Sequence, residues 1–153
     1  MSWLFFALLS ALFAALTAIF AKLGLQGLDS DFATFIRTLF IVAIVALWLS
    51  FLGKWQSPAT VSGRQWLFLA LSAAATGLSW LFYFKALQLG QAAHVAPVDK
   101  LSVVFVAIFA VTFLGERLSA REWLGIALIV GGVLCLTLAP SAPPDATQTE
   151  QAQ

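Results

Sequence analysis

Long apolar runs separated by short polar breaks set the pattern of this chain. A helix that crosses a bilayer needs about 20 mostly apolar residues, each adding about 1.5 Å of rise. Five runs reach that length: residues 3–23, 32–52, 66–89, 95–114 and 123–139. Between them lie GLQGLDSD, GKWQSPATVSGR, GQAAH and GERLSARE, all with turn chemistry. An odd number of spans puts the two chain ends on opposite sides of the membrane. The polar, Pro-containing stretch 140–153 is expected to be a disordered tail, which leaves 1–139 as the transmembrane domain.

Composition agrees with that reading. Of 153 residues, 61% are hydrophobic and 10% charged, where a soluble domain carries about 25% charged residues. The expected fold is therefore an all-α, multi-pass integral membrane protein. The first run has no charged residue before it and exceeds the ~7–15 residues of a signal-peptide core, so it reads as a membrane helix. A net charge of +1 offers nothing to a nucleic acid. Cys135 stands alone in an apolar run and is expected to pack. No His, Cys or carboxylate cluster has metal-ligand spacing and no Gly-rich phosphate loop is present, so neither cofactor nor metal is expected. No paired catalytic carboxylates or activated nucleophile can be assembled from the spans, which points away from an enzyme.

The polar residues inside the runs carry the chemistry. In the third run Gln65, Ser72, Thr76, Ser79 and Tyr83 fall on one face at about 100° per residue. Lipid gives such groups no hydrogen-bond partner, so the face must meet protein or water. It is read as the wall of a polar substrate path, with Trp80 and Tyr83 as aromatic contacts. In the first run Ser10, Ala14, Thr17, Ala18 and Ala21 form a small-residue stripe suited to close helix packing. The second run has Thr34, Arg37, Thr38 and Ile41 on one face, with Asp31 as a plausible N-cap. Arg37 can either snorkel to the surface or face inward.

The fourth run with its flanking residues, HVAPVDKLSVVFVAIFAVTFLGE (94–116), is the most unusual, because Pro97, Asp99 and Lys100 stand together near its start. A charge at the centre of a membrane helix costs about 2.5–3.5 kcal/mol even on lenient scales. Pro97 fits a first helical turn. If the helix instead begins near Ala92, Pro97 makes a helix break with polar character. Asp99 and Lys100 point about 100° apart on a helix, so their partners are expected on other helices: Arg37 for Asp99, and Asp29 or Asp31 for Lys100. His94 is expected in a loop. Ser119 and Glu122 have capping-box spacing, and Gly125, Gly131 and Gly132 would permit close helix approach.

Flanking charge favours a cytoplasmic N-terminus: Lys54, Arg64, Arg117 and Arg121 flank that side, against Lys22 and Lys85 on the other. Counting the embedded Arg37 and Lys100 balances the two sides. Trp3, Trp48, Trp55, Trp66 and Trp123 fall at the N-terminal side's boundary, as an interfacial belt would; Trp80 is interior.

Three segments, YFKALQLG, HVAPVDKLSVVFVAIFAVTFLGERLS and EWLGIALIVGGVLCL, resemble the EamA domain of the drug/metabolite transporter superfamily. The similarity extends over about residues 3–139, and Lys22 and Arg37 stand where such domains place basic residues. The resemblance implies a transporter of the inner membrane. Members typically have two such repeats, inverted with respect to each other, whereas this chain has one. It implies a half-transporter that pairs with a second copy as an antiparallel homodimer, or with another half-sized chain as a heterodimer. Related small multidrug transporters carry an acid in the first helix; here that helix has none, and Asp99 is the embedded carboxylate that remains.

The expected function is movement of a small polar or amphipathic compound by alternating access. Embedded charges Arg37, Asp99 and Lys100 sum to +1 per chain, which leans toward an anionic or zwitterionic solute. The rival from another class is a non-transporting membrane subunit that uses the same stripe to dock onto a larger partner.

Overall fold

The computed structural model describes residues 2–138. The expected disordered tail at 140–153, together with residues 1 and 139, lies outside the described residues. Every regular element among the described residues is helical: α1 (Trp3–Gly24), α2 (Ser30–Leu52), a 3-10 turn (Pro58–Thr60), α3 (Gly63–Leu89), α4 (Ala92–Asp99), α5 (Ser102–Phe113) and α6 (Ala120–Leu138). Five helical segments are long and apolar enough to cross a membrane, with α4 and α5 together making the fourth, Ala92–Phe113.

Capping explains why the helices start earlier than the apolar runs. Asp29, not Asp31, is the N-cap of α2, and its carboxylate accepts from the amides of Asp31 and Phe32. Ser62 and Gln65 form a reciprocal capping box on α3, with the Ser62 amide donating to Gln65 Oε1 at 2.8 Å. Gln65 thus opens α3 as a helix cap, its side chain engaged with Ser62. The Ser119–Glu122 box is present as expected: the Ser119 amide and hydroxyl both donate to Glu122 Oε2, at 2.6 and 2.7 Å. Side-chain oxygens that satisfy first-turn amides allow a polar first turn to be helical before the apolar stretch begins.

The chain divides into two units, Met1–Ala96 and Pro97–Gln153. In the first, α3 packs against both α1 and α2. Its core is the cluster Leu25, Phe84 and Leu87, with Ala21, Ala33, Tyr83, Ala92 and Val95 packed around it. Gly90 lets α4 approach closely: a Cβ there would stand 3.0 Å from Val95 Cγ2 and 3.3 Å from the Ala86 carbonyl. The small-residue stripe on α1 is used only at its C-terminal end, where Ala18 is buried and Ala21 joins the core, while Ser10 and Ala14 are exposed.

In the second unit, Ala107 and Ala110 on α5 and Val133 on α6 are buried. Gly115, at φ 70°, ends α5, and the Glu116 amide reaches back to the Ala110 carbonyl at 3.1 Å. That left-handed turn is the physical content of the LGE sequence. Among the described residues of the chain, nothing approaches Gly125, Gly131 or Gly132 closely: a Cβ at any of them meets no atom within 4 Å. Cys135 is exposed and not packed.

Most large apolar side chains point outward; Phe51 and Phe113 are 84% and 82% exposed. Such a surface is suited to lipid or a partner helix rather than to water. Trp3, Trp48, Trp55, Trp66 and Trp123 are all among these exposed residues, as an interfacial belt requires.

Candidate functional site

The polar stripe of α3 meets the Thr face of α2 at a groove of about 390 Å³. Ser72, Thr76 and Trp80 line one wall, and Thr34, Thr38 and Ile41 the other. Four-residue spacing on both helices stacks these side chains along the contact. Ser79 does not line the groove, although helical spacing puts it on the same face as Ser72 and Thr76. Tyr83 lies one turn further on, half-buried against the core cluster.

The hydroxyls fall into two classes. Thr34 and Thr38 donate to the carbonyls of Ser30 and Thr34, each at 2.8 Å, in the usual back-bonding of membrane helices. Thr17, Ser50, Thr112 and Thr137 do likewise. Ser72, Thr76 and Ser79 hydrogen-bond to none of the described residues. The α3 face therefore presents polar groups whose needs the described chain does not meet.

Arg37 faces inward. Its guanidinium carbon lies 4.3 Å from the centroid of the Trp80 ring and 5.2 Å from that of Phe84, a double cation–π contact. Nη1 is buried and has no hydrogen-bond partner among the described residues. Arg37 also lines a second cavity, a cleft of about 590 Å³ between α1 and α2 whose other lining residues include Phe20, Phe40, Ile41, Ile44 and Phe84. The cation thus stands in the wall of an apolar cleft, with Trp80 separating it from the hydroxyl-lined groove. Phe84 was not singled out as a site residue; its i+4 spacing from Trp80 is the signal that could have found it.

Pro97, Asp99 and Lys100 belong to the second unit. The helix begins at Ala92, so His94 is helical and not in a loop, and Pro97 lies inside α4. Without an N–H, Pro97 leaves the Ala93 carbonyl without its helical donor. The amides of Lys100, Leu101, Val103 and Val104 then bond three residues back, at 3.0–3.1 Å, and regular helix resumes at Ser102. Asp99 and Lys100 pair with each other at 3.1 Å, contrary to the expectation that adjacent positions keep them apart. The local departure from α-helical geometry and the long lysine stem allow it. The pair is partly exposed, so its strength is modest.

Lys22, read from the sequence as a flanking charge and as a basic position shared with EamA domains, has a defined role. Its ammonium donates to the carbonyls of Leu87 at 2.6 Å and Gly90 at 2.8 Å, joining the end of α1 to the end of α3.

A model of the EamA-like transporter family matches residues 1–138. The chain belongs to that family. A Sinorhizobium protein described as an uncharacterized transporter in the cobO 3′ region is 59% identical over 137 residues, covering 90% of this chain and 97% of its own length. Two further EamA-like relatives are described as probable 4-amino-4-deoxy-L-arabinose-phosphoundecaprenol flippase subunits, ArnE. That of Pseudomonas fluorescens is 37% identical over 73 residues, 47% of this chain and 61% of its own. That of Escherichia coli is 36% identical over 83 residues, 51% of this chain and 73% of its own. No solved structure matches the chain. Family membership and the five spans make this EamA-like chain a multi-pass membrane transporter of the drug/metabolite type.

Proposed function

We propose that this chain is a half-transporter of the inner membrane that moves a small polar or amphipathic compound by alternating access as a dimer, with its N-terminus in the cytoplasm. The observation that carries the reading is the set of unmet polar groups on α3: Ser72 and Thr76 line a groove yet hydrogen-bond to none of the described residues. In a bilayer such hydroxyls need water, solute or another chain. A substrate path at the contact of two half-sized chains supplies all three in turn. Arg37, backed by Trp80 and Phe84, favours a solute with an anionic group. Pro97 interrupts the fourth span beside Asp99 and Lys100, and would let its two pieces tilt separately during the cycle.

The test is solute flux in proteoliposomes. Ser72→Ala with Thr76→Val is expected to lower flux about tenfold, the loss of two hydrogen bonds at about 0.5–1.5 kcal/mol each. If the double variant transports at the wild-type rate, the groove is not the path.

A second reading is favoured by the relatives described as flippase subunits: the chain completes its path with a different partner. Crosslinking in native membranes separates the two. Self-crosslinks across α3 support the homodimer, and a heteromeric product without self-association supports the subunit.

A further inference from the structure

We infer that the α1/α2 cleft seats an amphiphile with an anionic headgroup, its head at Arg37 and its apolar chain along Phe40, Ile41 and Ile44. The inference goes beyond the proposed transport reading, because it names a ligand site apart from the α2/α3 groove. The cleft is apolar apart from Arg37 and Thr17, and Thr17 already donates to the Phe13 carbonyl at 2.8 Å. A buried Arg37 Nη1 without a partner among the described residues is an expensive group to leave unmatched. Trp80 and Phe84 hold the guanidinium plane, but an aromatic face cannot accept the in-plane hydrogen bonds of the fork. A phosphate or carboxylate oxygen in the cleft can, at the part of Arg37 that lines it.

The position along the membrane fits the same occupant. Arg37 lies about 10 Å in from the Ser30 end of α2, and the cleft continues to Ile44 about 10 Å deeper. Polar group toward the membrane surface and apolar wall toward its middle is the polarity of one lipid leaflet. A free anion would leave the apolar length unused, and a neutral or cationic amphiphile would leave Arg37 unmatched or repelled.

The test is thermal stabilisation of the purified full chain in neutral-detergent micelles. The probes are dodecyl phosphate, butyl phosphate, inorganic phosphate and dodecyltrimethylammonium. Dodecyl phosphate is expected to bind at least about tenfold tighter than each of the others, the scale of one charge-assisted hydrogen bond together with a buried chain. Arg37→Gln is expected to remove that preference, and Ile44→Trp, which fills the deep end, to weaken dodecyl phosphate with Arg37 intact. Equal binding of the anionic and cationic amphiphiles overturns the proposal. So does inorganic phosphate binding as tightly as dodecyl phosphate, which would point to a free anion. If Arg37→Gln does not fold, the wild-type comparison of probes still decides.

The readout is binding, not flux, so the two readings fail separately. Arg37-dependent binding with no transport overturns only the transporter reading. Transport that needs Ser72 and Thr76, with amphiphile binding indifferent to head and chain, overturns only this one.

Discussion

The Lys22 ammonium lies 2.6 Å from the carbonyl oxygen of Leu87, a residue 65 positions away and fully buried. The last carbonyls of a helix have no partner within it, and a lysine from another helix is an effective one because the negative end of the helix dipole favours a cation. Lys22→Met removes this bond and the one to Gly90. The expected loss of stability is about 1.5–3 kcal/mol, typical for a hydrogen bond involving a charged group. Denaturation in micelles measures it, and an unchanged midpoint would mean that water serves these carbonyls equally well.

Gly90 makes a second, paired prediction. Gly90→Ala places a methyl 3.0 Å from Val95 Cγ2 and is expected to destabilise by about 1–3 kcal/mol through overpacking. Adding Val95→Ala removes the clashing atom, so the double variant should recover most of that loss. Additive destabilisation in the double-mutant cycle would place the strain at the Ala86 carbonyl instead.

Trp80 supports Arg37 from one side. Trp80→Ala is expected to cost about 0.5–2 kcal/mol of cation–π contact on top of lost packing, whereas Trp80→Phe keeps a ring beneath the guanidinium and should cost less. Melting temperatures in the Arg37→Gln background sharpen the point: the difference between Phe and Ala at position 80 should shrink once the cation is gone.

Pro97→Ala returns an N–H donor to α4. Continuous helix from Ala92 into α5 becomes possible, and hydrogen exchange at residues 97–104 should slow. No change in exchange would show that Asp99–Lys100, not Pro97, sets the interruption.

The apolar runs located all five spans, because the length a bilayer demands leaves little choice. They missed the first turns, since hydropathy sees Ser30 and Asp31, Gly63 to Gln65, or Arg121 and Glu122 as loop, while capping by Asp29, Ser62 and Ser119 makes them helical. The α3 face was legible from periodicity, and the Thr34–Ile41 face of α2 with it. The role of Lys22 was not, because a bond across 65 residues depends on which helices pack together. The Asp99–Lys100 pair escapes the sequence for a related reason: the expectation assumes regular helix through Asp99 and Lys100, where Pro97 interrupts the hydrogen-bond pattern.

The division of hydroxyls between the two walls of the α2/α3 groove has a stereochemical consequence. Thr34 and Thr38 have committed their protons to backbone carbonyls, so their oxygens can only accept. Ser72 and Thr76 on the opposite wall can still donate, and the Trp80 indole stands one turn beyond Thr76 on that wall. An accepting wall, a donating wall and an aromatic surface are three contacts of different kind, fixed in one sense of rotation. If the groove is the path proposed above, the two enantiomers of a chiral solute are expected to cross at different rates, which flux measured with each in proteoliposomes checks.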